Sequence, residues 1–272
     1  MIRAIAAVAR REIVIFLRYP GWVIGALVWP ALFPLMYLFA SRALAGPQGE
    51  GMETFTRVAG TANYAGFIVV GTTAWMWLNM TLWSVGTSLR NEQLRGTLES
   101  NWLSSSPRFL VMLGIAAAHA MNFIVFLLVG VLEFVLILGV RFNPNPTATL
   151  AAVALTVPWV YGLGMAFAAL VLLFKEAQAM VFFVRGIFLV FAGISFPVAV
   201  LPDWMRGIAG WLPLTHSIEA LRLALLENAP LSLLQANLTF LAWAGGALMI
   251  AGYVTFQSVD RLTHRTGSVA HH

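Results

Sequence analysis

Residues 109–138 read FLVMLGIAAAHAMNFIVFLLVGVLEFVLIL, with Glu133 as the only charged side chain in the run. A helix needs about 20 apolar residues to cross the hydrocarbon core of a bilayer, and this run exceeds that. It has no strand alternation and no proline, so it reads as one continuous helix in lipid.

Five further stretches of similar character lie outward from it, at 22–40, 63–85, 148–174, 177–200 and 238–259. With 109–138 they make six transmembrane helices, and Pro158 is a place where the fourth can bend. The whole chain agrees. Of its 272 residues 60% are hydrophobic and 10% charged, and the mean hydropathy is +0.83. Soluble domains are less apolar and carry more than twice that charge fraction. The expected fold class is therefore an all-α integral membrane protein, a single domain over 1–272. A pI near 10.2 suggests nucleic acid at first sight, but the net charge is only +5 and no basic run exists, so no nucleic-acid partner is expected. The chain has no cysteine, which excludes disulfides and thiolate metal sites. Arginines at 3, 10, 11 and 18 interrupt any apolar core near the start, so a cleavable signal peptide is not expected.

Segment 1–19 has helical periodicity: Ile2, Ile5, Ala6, Ala9, Ile13, Phe16 and Leu17 gather on one side and Arg3, Arg10, Arg11 and Arg18 fall away from it. This is the pattern of an amphipathic helix in the membrane interface. A plain basic flank is the alternative. With the N-terminus inside, ten basic residues fall on the cytoplasmic side and five outside, which favours both termini in the cytoplasm. The first outer connection, 41–62, contains Gly46-Pro47-Gln48-Gly49 and reads as a solvated loop. Inside, 88–107 is polar and helix-compatible. The outer segment 201–236 is moderately apolar but carries Pro202, Pro213 and Pro230, just after Pro197. Its halves are too short to span, so they are expected as short re-entrant helices whose ends protein must shield.

Catalytic signatures are missing. A P-loop needs a glycine-rich turn followed by Lys, and the only lysine, Lys175, has none before it. His119 and Asn122 share a face of the third span, as do His216 and Glu219 nearer the outer surface. Buried polar packing between helices is the preferred reading of such pairs over chemistry. Arg185 is the one charge clearly inside a span, and it must face protein, water or a phosphate rather than acyl chains. It is either a structural arginine or a polar point in a substrate path that also takes in His119 and Asn122.

Two stretches carry a family resemblance. Arg90-Asn91-Glu92-Gln93-Leu94-Arg95-Gly96-Thr97-Leu98-Glu99, with Ser106-Pro107-Arg108 after it, is similar to the E-x-x-x-G-T-L-E segment of the ABC-2 type permeases. Gly193 to Pro197, Leu201 to Trp204, Leu212 to His216 and Glu219 to Arg222 resemble, in order, that family's G-x-x-F-P, L-P-x-W, P-L-T-H and E-A-x-R signature. The resemblance implies the membrane subunit of an ATP-binding cassette exporter, nearest the drug, lipid and Nod-factor branch. It implies a cytoplasmic coupling helix at 88–107, with Glu92, Arg95, Gly96, Thr97, Glu99 and Trp102 meeting an ATPase subunit. Physically, Arg95 and Glu99 at i and i+4 can pair and stiffen that helix, and Trp102 can anchor it.

The resemblance further implies an outer gate at Pro197, Pro202, Trp204, Pro213, His216, Glu219 and Arg222. The partners it implies are an ATPase subunit that binds ATP and Mg, a second copy of the chain as a homodimer, and membrane lipids. The chain itself is expected to hold no cofactor or metal and not to be an enzyme. The cargo is a hydrophobic or amphiphilic molecule such as a drug, lipid or lipid-linked molecule, and the location is the inner membrane. One alternative is export of polysaccharide or teichoic-acid precursors, with Trp75, Trp77 and Trp83 stacking sugars. Another is an intramembrane enzyme using His119 or His216.

Overall fold

The computed structural model describes residues 2–44, 50–96, 108–174 and 176–266, and among these every regular element is a helix. In chain order they are α1 (Ile2–Arg18), α2 (Pro20–Leu44), α3 (Glu50–Ala59), α4 (Tyr64–Ser84), α5 (Ser88–Leu94), α6 (Arg108–Leu136), α7 (Pro146–Phe174), α8 (Ala177–Phe191), a 3-10 turn (Val198–Val200), α9 (Asp203–Ala209), α10 (Pro213–Leu226) and α11 (Leu231–Thr266). Five apolar windows are long enough to cross a bilayer: Val23–Ala43, Tyr64–Leu94, Phe109–Leu136, Pro146–Leu172 and Leu231–Val259. The protein is an all-α, multi-pass membrane protein.

Helix association in lipid cannot draw on a hydrophobic effect between helices, so close backbone approach through small residues takes its place. The broadest helix pair, α7 with α11, shows this. A Cβ on Gly162 would come within 2.7 Å of the Leu248 carbonyl carbon, and one on Gly252 within 2.6 Å of the Gly162 oxygen. Side chains of any size would force these helices apart. Helix α4 runs through the middle, packed by α2, α6, α7, α8 and α10. Trp75 (1% exposed), Leu78 (0%) and Leu82 (0%) lie at its centre.

Helix α10 is held against α4, α7 and α11 by Leu214, Ile218, Leu221 and Ala224. Its buried Ser217 hydroxyl accepts from Trp159 Nε1 and Thr156 Oγ1, both at 2.9 Å. The last carbonyls of a helix lack intrahelical partners. Here the Ala224 and Leu225 carbonyls accept from the Asn145 and Asn143 backbone N–H groups, at 2.8 and 2.9 Å.

Three places differ from the sequence reading. First, the connection 41–62, read as a loop, contains the helix α3. Its Phe55 makes edge contacts with Tyr64 and Phe67, at 4.9 and 5.1 Å between ring centres. Second, the apolar run 177–200 is not one helix. Helix α8 stops at Phe191 after 15 residues, about 22 Å, short of the ~30 Å hydrocarbon core. Gly193 at φ +68° turns the chain there, and Pro197 in extended backbone starts the 3-10 turn. Third, α11 begins at Leu231 rather than 238 and runs for 36 residues.

Candidate functional site

The α1–α5 end is built around Arg11 and its two carboxylate partners. Arg11 Nη2 donates to Glu92 Oε1 at 2.8 Å and to Glu12 Oε1 at 2.7 Å. The Glu92 side chain is only 8% exposed, and that of Arg11 39%. Partial burial would lower the Arg11 guanidinium, but its hydrogen bonds to Glu92 and Glu12 and their charges outweigh that, so the net shift is upward. The cation is thus held firmly charged. Helix α5 is anchored at its start by Asn91, whose Nδ2 donates to Thr87 Oγ1 at 3.1 Å, and it rests on α7. Arg95 and Gly96 end it. The Gly96 N–H reaches the Gln93 carbonyl at 3.0 Å with φ +68°, the left-handed closure for which glycine is suited. Both residues are exposed. Of the other expected coupling residues, Thr97, Glu99 and Trp102 lie outside the described residues.

At the opposite end the proline-rich segment divides as its prolines dictate. Pro197 precedes the 3-10 turn, Pro202 precedes α9 and Pro213 opens α10 at its first position, where a missing N–H costs nothing. Trp204 is 65% exposed, with its ring edge near Phe191 at 6.2 Å. His216 is fixed on three sides. Its Nδ1 lies 2.8 Å from Asn237 Oδ1, its Nε2 lies 2.9 Å from the Gly210 carbonyl, and its ring stacks on Phe240 at 4.0 Å. Glu219 is exposed.

Arg222 points inward instead. Its Nη2 donates to the Ile194 carbonyl at 2.8 Å and its Nε to the Phe67 carbonyl at 3.2 Å, while the guanidinium lies over the Phe67 ring. Gly71 makes room for this: a Cβ there would collide with the Ile194 carbonyl oxygen and with the Arg222 guanidinium. One side chain therefore ties α10 to α4 and to the break after α8.

Within the bundle, His119 of α6 is buried, with Nδ1 3.0 Å from the Tyr161 hydroxyl of α7 and its other ring nitrogen without a partner. Asn122 is half-buried one turn further along α6. Arg185 is half-buried near the middle of α8, with its guanidinium carbon 4.8 Å from the Phe182 ring centre and 5.4 Å from that of Trp75. The contacts of Arg185 and those of His119 involve different helices, so the three expected pathway residues do not form one cluster of contacts. Trp75 and Trp77 are packed, stacked on Phe33 at 4.8 Å and on Phe123 at 4.9 Å. Among the described residues no group of three or more His, Asp or Glu side chains could hold a metal.

Sequence reasoning missed Arg11 as a member of the α5 site, because its charge is accounted for by an amphipathic helix. It also missed Asn237 and Phe67, whose roles depend on contacts across the fold.

A family model described as ABC-2 type transporter matches residues 3–226, and the chain belongs to that family. The matched region runs from α1 to the end of α10 and so contains both signature stretches. A search of curated proteins finds no match. As a member of this family the chain is a permease subunit of an ABC transporter.

Proposed function

We propose that the protein is the permease half of an exporter and moves a hydrophobic or amphiphilic molecule out of the cytoplasm or the inner leaflet. It works as a homodimer with a pair of ATPase subunits that bind ATP and Mg. It lies in the inner membrane with both termini in the cytoplasm, which the distribution of its basic residues supports. Six crossings fit this topology if α8 and the segment after its break together make the fifth.

The observation that carries the proposal is the Arg11–Glu92 pair. Coupling requires that a push on a short cytoplasmic helix reach the spans rather than be lost in a mobile loop. Helix α5 follows α4 directly, rests on α7 and is held by α1 through the buried carboxylate of Glu92. A force applied at Arg95–Trp102 therefore has a stiff route into α4. The outer cap is the complementary part. Pro197, Pro202, Trp204, Pro213, His216, Glu219 and Arg222 belong to the exit gate, and Arg222 holds it against α4 until the spans move. Arg185, His119 and Asn122 belong to the path between the two ends. With Trp75 and Trp77 engaged in packing, no ring of that pair is left open to stack sugars, which supports an apolar cargo over a polysaccharide precursor.

The test is to co-express the full chain with its ATPase subunit and reconstitute the pair in vesicles. ATP-driven movement of a lipophilic dye supports the proposal. An ATPase that neither binds the chain nor responds to it overturns the proposal.

A further inference from the structure

Arg185 is the ninth of the 15 residues of α8, about 12 Å from the start of the helix and about 9 Å from its end. An arginine at that depth in lipid must find acceptors or an anion, because a desolvated cation is costly. Among the described residues, its surroundings supply neither. Its guanidinium folds back over Phe182, one turn earlier on α8, and lies against Trp75 of α4. Aromatic faces stabilise the charge, but they are not conventional hydrogen-bond acceptors. Among the described residues no Asp or Glu forms an ion pair with Arg185, and no side-chain or backbone oxygen accepts from its N–H groups. Five donors in a planar fork are left over.

The setting is also prepared. The Trp75 ring is locked from two directions, stacked on Phe33 of α2 at 4.8 Å and donating its indole N–H to the Arg185 carbonyl at 3.4 Å. Tyr37, one turn beyond Phe33, is in edge contact with it at 5.2 Å and backs that ring. Next to the cation on α8, Phe182 and Phe183 are 56% and 71% exposed. A fixed, half-buried cation with free donors thus sits beside an open aromatic surface.

We propose that Arg185 is the headgroup site for an amphiphile with a single oxyanion, a carboxylate or a phosphate. The planar fork takes two oxygens of the anion side by side, and the apolar tail lies on Phe182 and Phe183. This rests on the transport reading above and narrows its cargo to anionic amphiphiles. It also assigns Trp75 and Phe182 as the walls that position the guanidinium.

The probe is radiolabelled dodecyl phosphate, with dodecyltrimethylammonium as the cationic counterpart. Binding is measured by equilibrium dialysis on the full permease–ATPase complex in nanodiscs of phosphatidylcholine. Wild type should bind the phosphate at least about tenfold more tightly than the ammonium compound. Arg185→Gln should lose about tenfold or more in phosphate affinity, with Arg185→Lys between the two. Equal affinity of wild type for the two probes overturns the proposal without needing any variant to fold. Unchanged phosphate binding by Arg185→Gln overturns it as well.

Adding phosphatidylglycerol separates cargo from resident lipid. Retained dodecyl phosphate binding supports a cargo site, whereas its complete displacement assigns the cation to a membrane phospholipid and overturns the cargo reading. Movement of a neutral dye by the complex is scored separately. If the dye moves while Arg185 proves indifferent to anions, the transport reading stands and this site falls. If anion binding depends on Arg185 but nothing is transported, the reverse holds.

Discussion

Arg11 and Glu92 are 81 residues apart in the chain, and Arg11 Nη2 lies 2.8 Å from Glu92 Oε1. The contact joins the amphipathic N-terminal helix α1 to α5, the segment proposed above to meet the ATPase. Exposed ion pairs contribute ~0.2–1 kcal/mol, while breaking a fully buried one costs ~3–5 kcal/mol. With Glu92 buried and Arg11 over a third exposed, this pair falls between those limits.

Arg11→Glu and Glu92→Arg should each lower the melting temperature of the complex and reduce transport per ATP hydrolysed. The double swap should recover much of both. Because the Arg11 pKa is raised on folding, its contribution is fully present at neutral pH and is lost only when strong alkali deprotonates the guanidinium. A thermal-unfolding series from pH 6 to 9 should therefore show no transition assignable to Arg11. If the double swap is no better than the worse single variant, the pair does not act as a unit.

At the α10 end of the bundle, Gly71 and Arg222 make a matched set. Gly71→Ala places a methyl group against the Ile194 carbonyl and the guanidinium, and overpacking of that kind costs ~1–3 kcal/mol. Gly186→Ala on α8, where a Cβ meets nothing within 4 Å, should be neutral or stabilising by up to ~1 kcal/mol. Thermal melts of the two purified variants check the contrast. Equal melting temperatures would show that the Gly71 contact is not tight in the protein.

Much of this architecture is legible from residues alone, for identifiable reasons. The run 109–138 admits few readings besides a membrane helix, and the arginines of 1–19 show their amphipathic arrangement through spacing. Local composition misleads at 41–62, where glycine and proline suggest a loop. There the helix α3 depends on Phe55 finding Tyr64 and Phe67, which is tertiary packing. It misleads again after Phe191, because 192–200 remains apolar and only Gly193 and Pro197 signal the break. The α5 site was half visible. Glu92 stands in a motif, but its partner 81 residues earlier leaves no mark in the sequence. Arg222 is similar: its acceptors are carbonyls, and a backbone oxygen has no sequence signature.

His119 tests whether a buried polar residue is packing or pathway. Tyr161→Phe removes the hydroxyl that meets His119 Nδ1. Polar contacts between membrane helices average about 0.6 kcal/mol, so the loss of stability should be of that order. Because His119 belongs to the proposed path, transport of each cargo tested should fall as well; flux within error of wild type would show that the pair only joins α6 to α7. Parallel melting and flux measurements distinguish the two.

Topology can be mapped without background because the chain has no cysteine. Gly207→Cys on α9 and Ser258→Cys near the end of α11 are both exposed positions. With an impermeant maleimide on intact cells, Gly207→Cys should label and Ser258→Cys should label only after lysis. Labelling of Ser258→Cys in intact cells would place the C-terminus outside.

The most direct measurement of the central claim is ATP-dependent accumulation of a lipophilic dye inside inverted vesicles that contain the full chain and its ATPase subunit. Accumulation should require both subunits and should fall in Trp102→Ala while the complex still inserts in the membrane. Accumulation that is the same with and without this chain, or with ATP omitted, would contradict it.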